Sequence, residues 1–285
     1  MASSSWPWHF VSVSPEQAQQ RRDLLDLRGY YAQISVLFAI VIIRLYSGHE
    51  PAQKTPSRKK QKSWWDSPPF AGWMETRRQY AVTLIWFTWL LALSMWKTGD
   101  DYLHLTRALG HVSLSQLPFQ TLMSPVYYIS VSKPASPSVV SILTSISQPM
   151  LSPYHRLFGR IVLSPLLVGH AALYLAFFAQ SDHPDFSSLL VKRLQDDDVQ
   201  CGILAISVVV SVLLFVRPVG NPYWLRLWTS TSIRSRREAF YTVHLSLVAG
   251  LCLVAYYHVA QAQTFVLQAL AAFVVNAGCC WVCAR

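Results

Sequence analysis

Four of the nine histidines in this 285-residue chain stand at nearly repeating spacings. His155 and His170 are 15 residues apart, and His244 and His258 are 14 apart. On an α-helix a step of 14 brings a side chain back to within about 40° of the same face and moves it about 21 Å along the axis. A step of 15 gives about 60° and about 22.5 Å. Two helices that each carry such a pair make two sites, one above the other, with one imidazole from each helix at each level. Two imidazoles on opposite sides of a metal are the axial set of a haem iron, whereas zinc draws three or four ligands into one cluster. The spacing therefore predicts two stacked haems. The odd residue in the first pair needs a local rewinding of its helix. Pro165 lies between His155 and His170, where its missing N–H and its ring can kink or rewind the backbone and absorb that residue.

The elements that must position these histidines are membrane helices. The chain is 52% hydrophobic and only 13% charged, against about 25% charged in an ordinary soluble domain. It still carries a formal charge of +10, from 24 Lys+Arg and 14 Asp+Glu. That balance excludes a disordered chain, speaks against a soluble enzyme, and gives no nucleic-acid partner. It points to an all-α polytopic membrane bundle with lipid around it and basic residues in its loops. About 20 apolar residues cross about 30 Å of hydrocarbon. The expected spans are Tyr30–Tyr46, Tyr80–Trp96, Ile161–Ala179, Cys201–Val216, Phe240–Ala260 and Thr264–Cys283. A seventh, Leu103–Val131, is interrupted by Arg107, Pro118 and Pro125 and reads as a helix packed among others. The count is about seven. Three segments follow: a polar 1–28, two N-terminal helices with a basic loop in 29–99, and the haem-bearing part in 100–285. The first 28 residues lack the apolar core of a cleavable signal, so the first helix is expected to act as an uncleaved anchor.

Charge sets the expected orientation. With the N-terminus outside and the C-terminus inside, 17 of the 24 basic residues fall on the inner side, as the positive-inside rule asks. Asp182, Asp185, Asp196, Asp197 and Asp198 then fall in an outer loop. The basic run Lys54–Lys62 reads as a solvated inner loop. His104 and His111, seven apart and so on one face, read as polar helix contacts or a relay pair. Cys279, Cys280 and Cys283 read as buried thiols or acylation sites.

The four-histidine pattern and its surroundings resemble the transmembrane domain of the ferric reductase and NADPH oxidase superfamily, fungal ferric/cupric reductases above all. The resemblance rests on Tyr154-His155-Arg156-Leu157-Phe158-Gly159-Arg160 followed by His170 and Tyr174, and on Arg236-Arg237-Glu238-Ala239-Phe240-Tyr241 leading into His244 and His258. Arg107–Pro118 is similar to the helix before the first haem helix of that family. The likeness covers roughly 100–285.

It implies haem b held by His155 and His244 on the inner side, and a second haem b held by His170 and His258 on the outer side. Arg156, Arg160, Arg236 and Arg237 would sit near the inner propionates. Reductases of this family carry a flavin and NADPH module, and these 285 residues are expected to hold no FAD or NADPH site. His183-Pro184-Asp185-Phe186-Ser187 only faintly resembles a flavin-site string. The expected activity is therefore a membrane oxidoreductase component that passes single electrons and depends on a flavoprotein or other electron-donor partner. The alternatives are an oxidative tailoring component of fungal secondary metabolism and a non-enzymatic paralogue.

Overall fold

The computed structural model describes residues 11–49, 63–125, 137–180, 188–215 and 233–283. Among them every regular element is helical. The basic run Lys54–Lys62, the string His183–Ser187 and the end of Leu103–Val131 lie outside the described residues.

The first helix, α1, is Pro15–His49, and so it starts well before the apolar stretch and crosses the boundary expected at residue 28. The reason is local. Ser14 Oγ accepts from the Gln17 amide at 3.3 Å, and Gln17 Oε1 accepts from the Ser14 amide at 3.0 Å. This reciprocal cap precedes a proline at the first helical position, where its missing N–H does no harm. A short 3₁₀ turn, Trp64–Asp66, leads to α2 (Arg77–Met95), which opens on a second capping box between Thr76 and Gln79.

Helix α3 (Tyr102–Ser115) is capped by Asp101 and buries nearly every side chain it has. It is enclosed by α1, α2, α7 and α11, which is why its composition is mixed rather than lipid-like. At Gln116 the chain turns into α4 (Leu117–Leu122), with Pro118 in its first turn. Helix α5 (Val139–Thr144) ends at Ser145, whose φ of 59° stops it in the left-handed region.

Helix α6 (Gln148–Leu157), one π turn (Phe158–Leu163) and α7 (Ser164–Ala179) form a continuous rod. After α8 (Leu189–Arg193) come α9 (Asp197–Phe215), α10 (Ile233–His258) and α11 (Ala260–Cys283). Helix α11 lies along α4, and Asn276 joins them. Its Oδ1 accepts from the Val139 amide at 2.8 Å, and its Nδ2 donates to the carbonyls of Thr121 (3.0 Å) and Ser124 (2.8 Å). One fully buried amide thus joins the ends of α4 and α5 and gives the Val139 amide and the Ser124 carbonyl the partners that buried backbone groups need.

Among the described residues five helices are long and apolar enough to cross a membrane: Pro15–Ser47, Gln148–Ala179, Asp197–Leu214, Glu238–His258 and Ala260–Cys283. Their outward faces expose large apolar side chains, such as Phe38, Leu253 and Val274, as lipid requires. The chain is thus a multi-pass membrane protein. Helix α2 and the α3–α4 pair, which the sequence reading counts as the other two spans, are not among the five. In the second case the expected single helix is broken at Gln116, and its first half is a 14-residue interior helix.

Candidate functional site: two facing histidine pairs

The rod α6–α7 and helix α10 both pack against other helices. Helix α7 lies on α3 and α9, and α10 lies on α9 and α11, but α7 and α10 are not a close pair. Histidines from both sides face one another across the space between them. The His155 and His244 ring centres are 6.4 Å apart, with planes at 81°. The His170 and His258 ring centres are 6.2 Å apart, with planes at 70°. All four sequence-derived histidines are thus brought together, as two cross-helix pairs.

The unequal spacing is reconciled by the π turn. Pro165 has no N–H to give to the carbonyl four residues earlier. Just before it, the Ser164 amide reaches back five residues to the Gly159 carbonyl, and Ser164 Oγ donates to the same oxygen at 2.7 Å. A π turn takes up one residue more than an α turn. The 15-residue interval then places its two side chains as a 14-residue α-helical interval would, in step with His244 and His258.

Each pair is held from behind. Carbonyl oxygens can only accept, so the Nδ1 atoms facing them carry the proton. His170 Nδ1 donates to Thr106 O at 2.8 Å, His258 Nδ1 to Asp198 O at 2.5 Å, and His155 Nδ1 to Gln120 O at 3.2 Å. Gln120 Nε2 in turn donates to the His155 carbonyl at 2.8 Å. In these three rings Nε2 is left as the nitrogen able to bind a metal, which is the arrangement by which proteins fix and strengthen imidazole ligands. His244 Nδ1 is buried without a partner among the described residues. Its ring lies parallel to that of Phe240, one turn earlier, at 5.7 Å.

A repeated device seats the His170 and His258 rings. One helical turn after Thr106 comes Gly110, and one turn after Asp198 comes Gly202. A Cβ at Gly110 would stand 3.1 Å from His170 Cγ, and one at Gly202 would stand 2.8 Å from His258 Cε1. A carbonyl followed at i+4 by a glycine lets an imidazole lie flat against the neighbouring helix while it donates to that carbonyl. The sequence reading missed this device. Its only linear trace is a glycine in the interior of each of the two helices, where glycine lowers helix stability.

These residues fit a haem iron at each level. An iron bound at about 2 Å to each nitrogen, with about 1.2 Å from nitrogen to ring centre, sets the ring centres about 6.4 Å apart. An edge-to-face ring contact alone can have a similar spacing. It would not, however, call for fixed Nδ1 donors or for two helices held apart. Among the described residues no group of three or more His, Cys, Asp or Glu side chains could hold a metal ion, so a clustered zinc-type site is not found there.

The arginines are placed less simply. Arg156 Nε donates to the buried Glu75 carboxylate at 3.1 Å, which ties the segment before α2 to the His155 end of the rod. Arg160 interacts, as Glu75 does, with the Tyr80 hydroxyl. Arg236 and Arg237 lie in the first turns of α10, and their side chains are outside the described set. Arg107 is the single exposed residue of α3, and its charge acts on both His170 and His104. His104 and His111 turn to the other face of α3, away from His170. His111 Nε2 lies 3.1 Å from Asp26 Oδ1, and its ring meets Phe265 edge-on at 4.8 Å. They do not join either pair.

Comparison with known proteins agrees with this geometry. The family model "Ferric reductase like transmembrane component" matches residues 109–255, just over half of the chain. No curated protein and no solved structure matches the chain. The matched segment carries His155, His170 and His244 and ends three residues before His258. With its helical membrane architecture and its facing histidines, the chain belongs to the ferric reductase-like transmembrane component family.

Proposed function

We propose that this chain is a di-haem transmembrane electron carrier, in which one haem b is ligated by His155 and His244 and a second by His170 and His258. The observation that carries this reading is the pairing itself: two imidazoles from two different helices, 6.2–6.4 Å apart at each of two levels. Bound haem supplies a one-electron couple at each level. The levels lie about 22 Å apart along the rod, so together they bridge most of a bilayer.

The chain's own residues supply the rest. The carbonyls of Gln120, Thr106 and Asp198 hold the ring tautomers and make the imidazoles better donors to the iron. The neighbouring helices keep water from the space between the pairs. Arg160, Arg236 and Arg237 stand toward the His155 level, and Arg107 toward the His170 level, where guanidinium groups would pair with propionates. Arg156, already bound to Glu75, acts there by fixing the rod. With the N-terminus outside and the C-terminus inside, a flavoprotein or other donor would deliver electrons to the His155 level. An external oxidised metal ion or oxygen would accept them at the His170 level.

The test is the haem content of the purified full chain. Two low-spin haems b per chain are expected by pyridine haemochrome and Soret absorbance. His155→Ala and His244→Ala should each remove the same haem. Retention of both haems by either variant would refute the assignment.

A further inference from the structure

The His170–His258 pair is joined from outside by one side chain, Arg193 at the end of α8. Its Nε and Nη2 donate to the Tyr174 hydroxyl at 3.1 and 2.9 Å. Tyr174 stands one turn after His170 on α7, its ring 6.4 Å from the histidine ring. The same guanidinium lies 5.8 Å from the Phe178 ring centre, a turn further along α7. On its other side it pairs with the Asp196 carboxylate, and Nη2 reaches Asp198 Oδ2 at 3.1 Å. Asp198 is the residue whose carbonyl accepts from His258 Nδ1. A single planar fork thus grips the helix of one imidazole and the backbone acceptor of the other. The side chain is only about a third exposed, and its donors are matched to three oxygens in a way that a lysine ammonium cannot reproduce.

We propose that Arg193 is a positioning residue for the His170–His258 site: it locks α7 to the first turn of α9 and so fixes the angle between the two axial rings. The inference rests on the reading of this pair as haem ligands. Charge alone does not account for the arrangement, because Asp196 and Asp198 already balance the guanidinium. What Arg193 adds is geometry. Its removal frees Tyr174 and the Asp198 turn to move independently, and the two imidazole planes are then no longer held at their present 70°.

The g values of a low-spin ferric haem with two imidazoles depend on the angle between the ring planes, so electron paramagnetic resonance reads the proposed effect directly. The experiment uses the full chain purified with its haem, and His258→Ala identifies which signal belongs to this pair. Arg193→Lys keeps the charge and loses the fork. It is expected to displace the highest g value of the His170–His258 haem and to leave the His155–His244 signal in place. Tyr174→Phe removes one arm of the grip without touching a charge. It is expected to displace the same signal in a chain that folds even where Arg193→Lys does not accumulate. Signals of both variants that superimpose on the unaltered protein overturn the proposal. An unaltered protein without two low-spin signals overturns the haem reading itself, whatever Arg193 does.

Discussion

At the scale of residues, the seating of each imidazole is a contest between helix propensity and space. In a helix interior, glycine costs about 1 kcal/mol relative to alanine, so Gly202→Ala should stabilise α9 if nothing lay against it. His258 does, and an added methyl would stand 2.8 Å from its ring. Moving a packed ring aside costs about 1–3 kcal/mol, which outweighs the gain in propensity. Gly202→Ala is therefore expected to lose or displace the haem of that level, seen as a fall of up to about one half in Soret absorbance per chain. Gly110→Ala, with 3.1 Å to His170, should act in the same direction and more weakly. A variant that binds both haems and melts at a higher temperature would contradict this account. The four candidate histidines were legible because histidine is rare and costly at membrane depth. The glycines were not, because a lone glycine in a membrane helix has several possible reasons.

At the scale of elements, the π turn before Pro165 decides whether one helix can match another. Without it the 15-residue interval would carry His170 about 100° beyond the 14-residue register. If that is its role, the extra residue is dispensable once the proline is removed. Deletion of Ile161 together with Pro165→Ala should leave a plain α-helix with a 14-residue interval, and both haems should be retained. Deletion of Leu253 in α10 should turn His258 by about 100° against His244 and lose the haem of the His170 level. Haem stoichiometry checks both. The sequence pointed to a rewinding near Pro165 from the missing donor, but not to its form, which depends on Ser164 reaching the Gly159 carbonyl.

The same scale explains how α4 and α5 are held. Asn276→Leu would leave the Val139 amide and the Ser124 carbonyl without their partner, at about 1–3 kcal/mol for each buried group left unpaired. A fall of several degrees in the melting temperature of the detergent-solubilised protein is expected.

At the scale of the whole molecule, large apolar side chains cover the outer faces of the helices, and polar side chains are buried among the apolar ones of the core. Leu37, Phe38 and Val41 on α1, Leu253 and Tyr257 on α10, and Val274 and Val275 on α11 are all exposed, whereas Arg28, Gln116 and Asn276 are fully buried. An apolar outer surface, with polar groups paired inside, is what a lipid solvent demands. The orientation proposed from the charges can be tested at Cys283, whose side chain is exposed at the end of α11. With the C-terminus inside, a membrane-impermeant maleimide should label Cys283 only after sealed cells are opened. Labelling in intact cells would reverse the proposed sides and, with them, the donor and acceptor levels.

What the sequence determined by itself was the class of molecule and its ligand candidates. Apolar length, low charge and four spaced histidines report local properties: the burial free energy of a helix and its 100° step. What only the tertiary structure decided was how those faces meet. The pairing across α7 and α10, the break at Gln116 that turns an expected span into an interior helix, and the Arg156–Glu75 bond all depend on contacts between distant segments. So do the carbonyl–glycine seats on α3 and α9 and the grip of Arg193 on both sides of one site. These join segments tens of residues apart, and helical periodicity along one segment carries no information about which neighbour its face will meet.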